Sequence, residues 1–63
     1  MELSTKEVIK KKLLDAQEMV RDYEMYAKRV QDMEVADLFR EFAEESGHQA
    51  RKLQKLLEKL DKD

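Results

Sequence analysis

The chain has 63 residues, of which 44% are charged, and its 13 basic and 15 acidic side chains nearly cancel to a formal net charge of -2. A chain this short is one small domain or half of one. The absence of cysteine excludes disulfides, thiolate metal sites and thiol catalysis, and it fits a reducing, cytoplasmic setting. No apolar run approaches the roughly 20 residues that cross a bilayer, and the opening MELSTKEVIKKK lacks the apolar core and cleavage site of a signal peptide. No basic face is sustained, so neither nucleic acid nor a membrane surface is an expected partner. The cluster Lys10-Lys11-Lys12 reads as solvated helix surface. With no proline, one glycine and strongly periodic apolar residues, the composition predicts long exposed helices and not disorder.

The first helix is predicted from about residue 5 to residue 31. Ser4-Thr-Lys-Glu7 is a capping box, in which the Ser4 hydroxyl accepts from the Glu7 amide and the Glu7 carboxylate reaches back. Leu3 and Val8 bracket it as a hydrophobic staple. From there Ile9, Leu13, Ala16, Val20, Tyr23, Ala27 and Val30 advance by alternating steps of 4 and 3, an unbroken apolar seam. Met19 and Tyr26 flank that seam and widen the stripe. Asp32 reads as the N-cap of a second helix, over about residues 33–61, with Glu34 in its first turn where the helix dipole favours an acid. A connection this short forces the two helices antiparallel.

The second helix carries Val35, Phe39, Phe42, Ser46, Gln49, Leu53, Leu56 and Leu60, again in steps of 4 and 3, and this series is predicted to face the first helix. Ala36, Ala43, Ala50 and Leu57 form an adjacent row every seven residues, whose small side chains would let another helix approach. The fold class is therefore all-α, an antiparallel two-helix hairpin. One such interface, with several alanine and polar positions in it, is too thin to offset the conformational entropy of ordering the whole chain. The Met19/Tyr26 row and the alanine row are apolar surface in need of a partner. The economical solution is a homodimer, or higher homo-oligomer, in which two hairpins form a four-helix bundle.

Tyr23-Glu-Met-Tyr-Ala27, Gln31-Asp-Met-Glu-Val35, Leu38-Phe39-Arg-Glu-Phe-Ala-Glu-Glu45 and Ala50-Arg-Lys-Leu53 together resemble one helical hairpin of the rubrerythrin branch of the ferritin-like superfamily. The resemblance spans about residues 13–60. It implies half of the usual four-helix domain, completed by association, as in the hairpins of encapsulated ferritins. Members of that family hold two iron or manganese ions with a glutamate on one helix and a Glu-x-x-His pair on the next. Carried over residue by residue, those ligands fall at Ala16, Ser46 and Gln49, and none of the three is a ligand here. The chain's own Glu45-Ser-Gly-His48 has the right spacing but lies one residue out of register.

Helical phase gives a second test of that motif. A one-residue shift turns a side chain by about 100°, which no rotamer undoes. Glu45 is expected at the flank of the seam and His48 toward solvent, while Asp15, Glu18 and Asp22 face away from it. The sequence thus reads as a non-catalytic, ferritin-like helical module that homodimerises and has lost its di-metal centre, with no cofactor and no metal or catalytic residues. The alternative is a protein binding iron or manganese through Glu45 and His48 of two or more chains. A weaker one is a small-molecule carrier with a cavity beside Ala16. Tyr23, on the seam, is expected to bond Gln49 or Ser46 through its hydroxyl. Gly47 is expected to permit a bend or a close approach, or merely to be tolerated on an exposed face. No nucleophile–base pair, phosphate loop or acid–base dyad occurs.

Overall fold

A computed structural model describes residues 3–62 and contains two α-helices, α1 (Thr5–Arg29) and α2 (Met33–Asp61), packed as a hairpin. Its extents of 47 × 24 × 12 Å are those of a flat, two-helix slab.

The helix ends follow local chemistry. At the start of α1 the Glu7 amide donates to the Ser4 hydroxyl at 3.1 Å. That hydroxyl in turn donates to the Glu7 carboxylate at 3.2 Å, so the carboxylate meets the cap side chain and not its backbone amide. Leu3 and Val8 both remain largely exposed. α1 ends at Arg29, two residues before the expected boundary, because Val30 turns to extended backbone while its N–H still donates to the Tyr26 carbonyl at 3.0 Å. Lys28 and Arg29 in the last turn complement the negative end of the helix dipole. Asp32 caps α2, accepting from the amides of Glu34 at 2.9 Å and Val35 at 3.2 Å. The reversal uses no positive φ among the described residues, so the connection needs no glycine.

On α1 the buried residues are Ile9, Leu13, Ala16 and Ala27, with Val20 and Tyr23 half-buried and Val30 half-buried just beyond its end, so the expected seam faces α2. On α2 the face is rotated from expectation. Ala36, Ala43, Ser46, Ala50 and Leu57 are buried, Phe39, Leu53 and Leu60 half-buried, and Gln49 and Leu56 exposed. The alanine row, expected to await another helix, is the one pressed against α1. Small residues on both helices let the backbones come close, with Phe39 kept beside the seam and only Phe42 turned to its flank. Val35, Phe42, Gln49 and Leu56 move to the flank as a result.

Ala16 sits within the cluster formed by Ile9, Leu13, Ala50 and Leu57, with Leu53 and Leu60 packed against it. The space beside Ala16 is thus occupied by the other helix and is no ligand cavity. Gly47 lies on the side of α2 that looks toward Val20, and a Cβ placed on it would stand 3.9 Å from the Val20 side chain. That is ordinary van der Waals contact, so neither a bend nor an unusually close approach requires glycine here. Gly47→Ala is expected to stabilise the protein by about 0.5–1 kcal/mol, the cost of a helix-interior glycine. Chemical denaturation followed by circular dichroism measures it, and a loss of stability would show that the neighbouring side chain cannot yield.

An ion pair between Lys6 and Asp61 ties the first turn of α1 to the last turn of α2. The hydrogen bond from Lys6 holds the Asp61 carboxyl below the ordinary carboxylate range, and that from Lys11, at 3.2 Å, does the same for Asp15. A lowered folded-state value means the support is whole above the unfolded carboxyl value near 3.8 and is lost as pH falls through the folded one. Because both groups are exposed, the effect is small. Asp61→Asn should therefore lower the melting temperature slightly near neutral pH and leave it unchanged in strong acid, where wild type has already lost the pair. An equal effect at both pH values would assign Asp61 a role other than charge.

Candidate functional site

The slab has two broad faces of opposite character. Val20 looks toward Gly47 on one side of the interhelical seam. On the other side the Tyr23 ring packs against Phe39 and Phe42, each with centroids 5.4 Å away and tilted at 56° and 63°. These angles are near the edge-to-face arrangement that aromatic quadrupoles favour.

On α1 the row next outside Tyr23 contains Lys12, Met19 and Tyr26, and on α2 the row next outside Phe39 contains Val35, Phe42, Gln49 and Leu56. Both rows belong to the same broad face. Met19, Tyr26 and Leu56 are 49%, 47% and 44% exposed, while Val35 and Phe42 are half-buried. This face is an apolar sheet of side chains along most of the slab, with Gln49 near its middle.

The opposite face is polar. Gln17 and Glu24 lie outside Val20 on α1, and Arg40, Gly47, Gln54 and Asp61 lie on the matching side of α2. A shallow open furrow there is lined by Glu24, Ala27, Lys28 and Arg40. Arg40 also pairs with Asp37 at 2.5 Å on its own helix. Nothing in the furrow is enclosed enough to hold a small molecule out of water.

The structure separates the residues that the sequence singled out. Ala16 and Ser46 are buried between the helices, at 7% and 8% exposure. Gln49 is exposed on the apolar broad face and does not line the hairpin seam, where it was expected. Tyr23 engages the two phenylalanines, and among the described residues its hydroxyl makes no bond to Gln49 or Ser46. No buried side-chain polar atom among the described residues lacks a partner, so Ser46 leaves no unsatisfied group.

Glu45 and His48 are both exposed, with His48 on the side of α2 turned away from α1. Glu18 and Asp22 are exposed as well, and the Asp15 carboxylate is held by Lys11 at 3.2 Å and Lys12 at 3.5 Å. Among the described residues no group of three or more histidine and acidic side chains is gathered as metal ligands would be. No helix of the described residues is long and apolar enough to cross a membrane.

Sequence reasoning placed Phe42 and Leu56 inside the hairpin, and they are instead part of the outward apolar face. The signal that identifies them is the parallel alanine row one position away, which competes for the inside and wins. Comparison with protein-family models, with curated proteins and with solved structures finds no match to this chain.

Two substitutions measure what Tyr23 contributes. Tyr23→Phe should change stability by less than about 0.5 kcal/mol, since the hydroxyl bonds no neighbour across the seam. Tyr23→Ala should cost about 2–3 kcal/mol through loss of the aromatic contacts. Urea denaturation of both variants gives the two values. A large loss for Tyr23→Phe would restore the expected polar role of the ring.

Proposed function

We propose that this chain is a non-catalytic helical module, one half of a ferritin-like, rubrerythrin-like bundle, that completes its fold by pairing with a second copy and no longer builds a di-metal centre. The observation that carries the proposal is the apolar broad face running through Met19, Tyr26, Phe42 and Leu56.

The areas support this reading. The hairpin exposes 5417 Å², whereas a compact globular protein of its mass, 7.5 kDa, exposes about 4250 Å². The excess, on the order of 1,200 Å², is comparable to the roughly 800 Å² that each partner buries in a standard stable interface. Among the described residues no large side chain is fully buried, so a second layer is what would turn half-buried Tyr23, Phe39 and Phe42 into a core.

The register of the resemblance fits the same picture. Ala16, Ser46 and Gln49 stand where the family's ligands would be, and the rows that hold them lie on or next to the broad face that would become the bundle interior. With methyl, hydroxyl and amide groups in place of carboxylates and imidazole, that layer has no anionic oxygen to bind iron or manganese. Glu45 lies at the rim of that layer, outside it, and His48 is turned away. The module's role is then association, with the bundle surface left to present charged side chains to other partners.

Sedimentation equilibrium at micromolar concentration should give twice the chain mass. Phe42→Glu should abolish the dimer and with it much of the helical signal. A folded wild-type monomer under those conditions would falsify the proposal. Aerobic purification followed by metal analysis and ferrous-iron titration addresses the metal centre, and no stoichiometric iron is expected. Bound iron that disappears in His48→Ala would replace this reading with a metal-binding one.

A further inference from the structure

We infer that the two copies stack with their connections at opposite ends, and that Gln49 lies on the twofold axis and pairs with its own counterpart. The inference rests on the dimer reading and specifies its geometry.

Two hairpins joined face to face through identical surfaces leave two choices of axis. An axis along the helices sets α1 of one copy over α2 of the other and puts both connections at one end. An axis across the helices sets α1 over α1 and α2 over α2, antiparallel, with the connections at opposite ends. The residues on the face distinguish the two.

The levels of the slab are fixed by its own contacts. Lys6 meets Asp61, Val20 lies over Gly47, and Tyr23 meets Phe42 and Phe39. Met19 and Gln49 are therefore nearly level, both close to mid-height. With the axis along the helices, Gln49 faces the thioether of Met19 in the second copy. A carboxamide with two donors and a two-lone-pair acceptor would be buried against a group that is at best a weak acceptor. Each unsatisfied amide there costs on the order of 1–3 kcal/mol, and symmetry doubles it.

With the axis across the helices, Gln49 faces Gln49. The two carboxamides can exchange a reciprocal pair of hydrogen bonds and satisfy one another. Phe42 and Leu56 each lie seven residues from Gln49, in opposite directions, so each Phe42 meets a Leu56 of the other copy. The α1 row has the same construction, because Lys12 and Tyr26 each lie seven residues from Met19. Met19 then meets Met19, and each Lys12 ammonium reaches a Tyr26 ring, a cation–π contact. At the rim Glu45 falls beside Lys52 of the other copy. Asp15 falls beside Asp22, a like-charge contact softened by the lysines that already hold Asp15 at 3.2 Å and 3.5 Å. A face that is self-complementary about one glutamine selects the axis across the helices.

The chain contains no cysteine, so single-cysteine variants report cleanly. Gln49→Cys, oxidised with diamide, should give a covalent dimer on a non-reducing gel. Exposed Gln31→Cys, in the connection, carries a nitroxide for pulsed dipolar spectroscopy. Gln31 lies 18 residues from Gln49, so connections at opposite ends predict a separation of about 50 Å, whereas connections at one end predict less than about 20 Å.

Gln49→Leu should tighten the dimer about tenfold and add a short-distance population, because leucine no longer penalises the arrangement with both connections at one end. A dimer with the short distance in wild type overturns the arrangement and leaves the dimer standing. The long distance without a Gln49→Cys crosslink overturns the axis position. A monomer by sedimentation overturns the dimer reading beneath both.

Discussion

The contact on which the structure depends is the close approach of two helices over alanines. Ala16 and Ala27 on α1 and Ala36, Ala43 and Ala50 on α2 are all buried, and together they make up much of the seam. Alanine gives little area per residue, but it allows backbones to approach until the larger side chains on either side interlock. The consequence is a seam that is tight and thin. Ile9, Leu13 and Leu57 complete it toward the open end of the hairpin, and Tyr23, Phe39 and Phe42 cover it on one side. Every large apolar side chain in the described part of the chain keeps some contact with solvent. The alanines decide which face of α2 is inside, and by doing so they decide which face is left over.

That choice sets how far the sequence could be read. The starts of both helices were legible because a cap is local: Ser4, Asp32 and their hydrogen bonds need no tertiary context. The seam of α1 was legible because the helix has one continuous apolar series from Ile9 to Val30. α2 has two apolar rows one residue apart, and hydropathy alone ranks Phe42 and Leu56 above Ala43 and Ala50. The structure reverses that ranking, since packing distance and not side-chain hydrophobicity fixes the phase. The end of α1 was misplaced for a related reason. Gln31 suits a helix in isolation, but Val30 must be extended for Asp32 to cap the next one.

The polar residues at the centre of the molecule were only partly legible. Exposed His48 and Glu45 followed from helical phase, and buried Ser46 followed from the seam. Gln49 did not, because its position depends on the rotation of α2. Seen in the hairpin alone it is an unremarkable surface amide. Its meaning comes from its neighbours in the same row: a glutamine between Phe42 and Leu56, on a face that also carries Met19 and Tyr26, is polar where its surroundings are not. Within a layered fold such a residue costs stability unless it is matched, and a matched amide is a means of allowing one alignment and penalising others.

Size makes this matter for folding as well as for shape. A hairpin of 63 residues with a one-sided seam has the backbone entropy of a small domain to overcome, and only part of a small domain's buried surface to do it with. In the proposed dimer a second layer would raise burial of Tyr23, Phe39, Phe42, Met19 and Leu56 together, so the free energy that associates the copies would be the same free energy that holds each hairpin closed. Under that proposal association and folding are one equilibrium, and the stability of the chain would depend on its own concentration. In a separate, stable monomer the apolar broad face would be a liability for nonspecific aggregation. In the proposed coupled system it would be covered whenever the chain is folded, and the glutamine at its centre would restrict how.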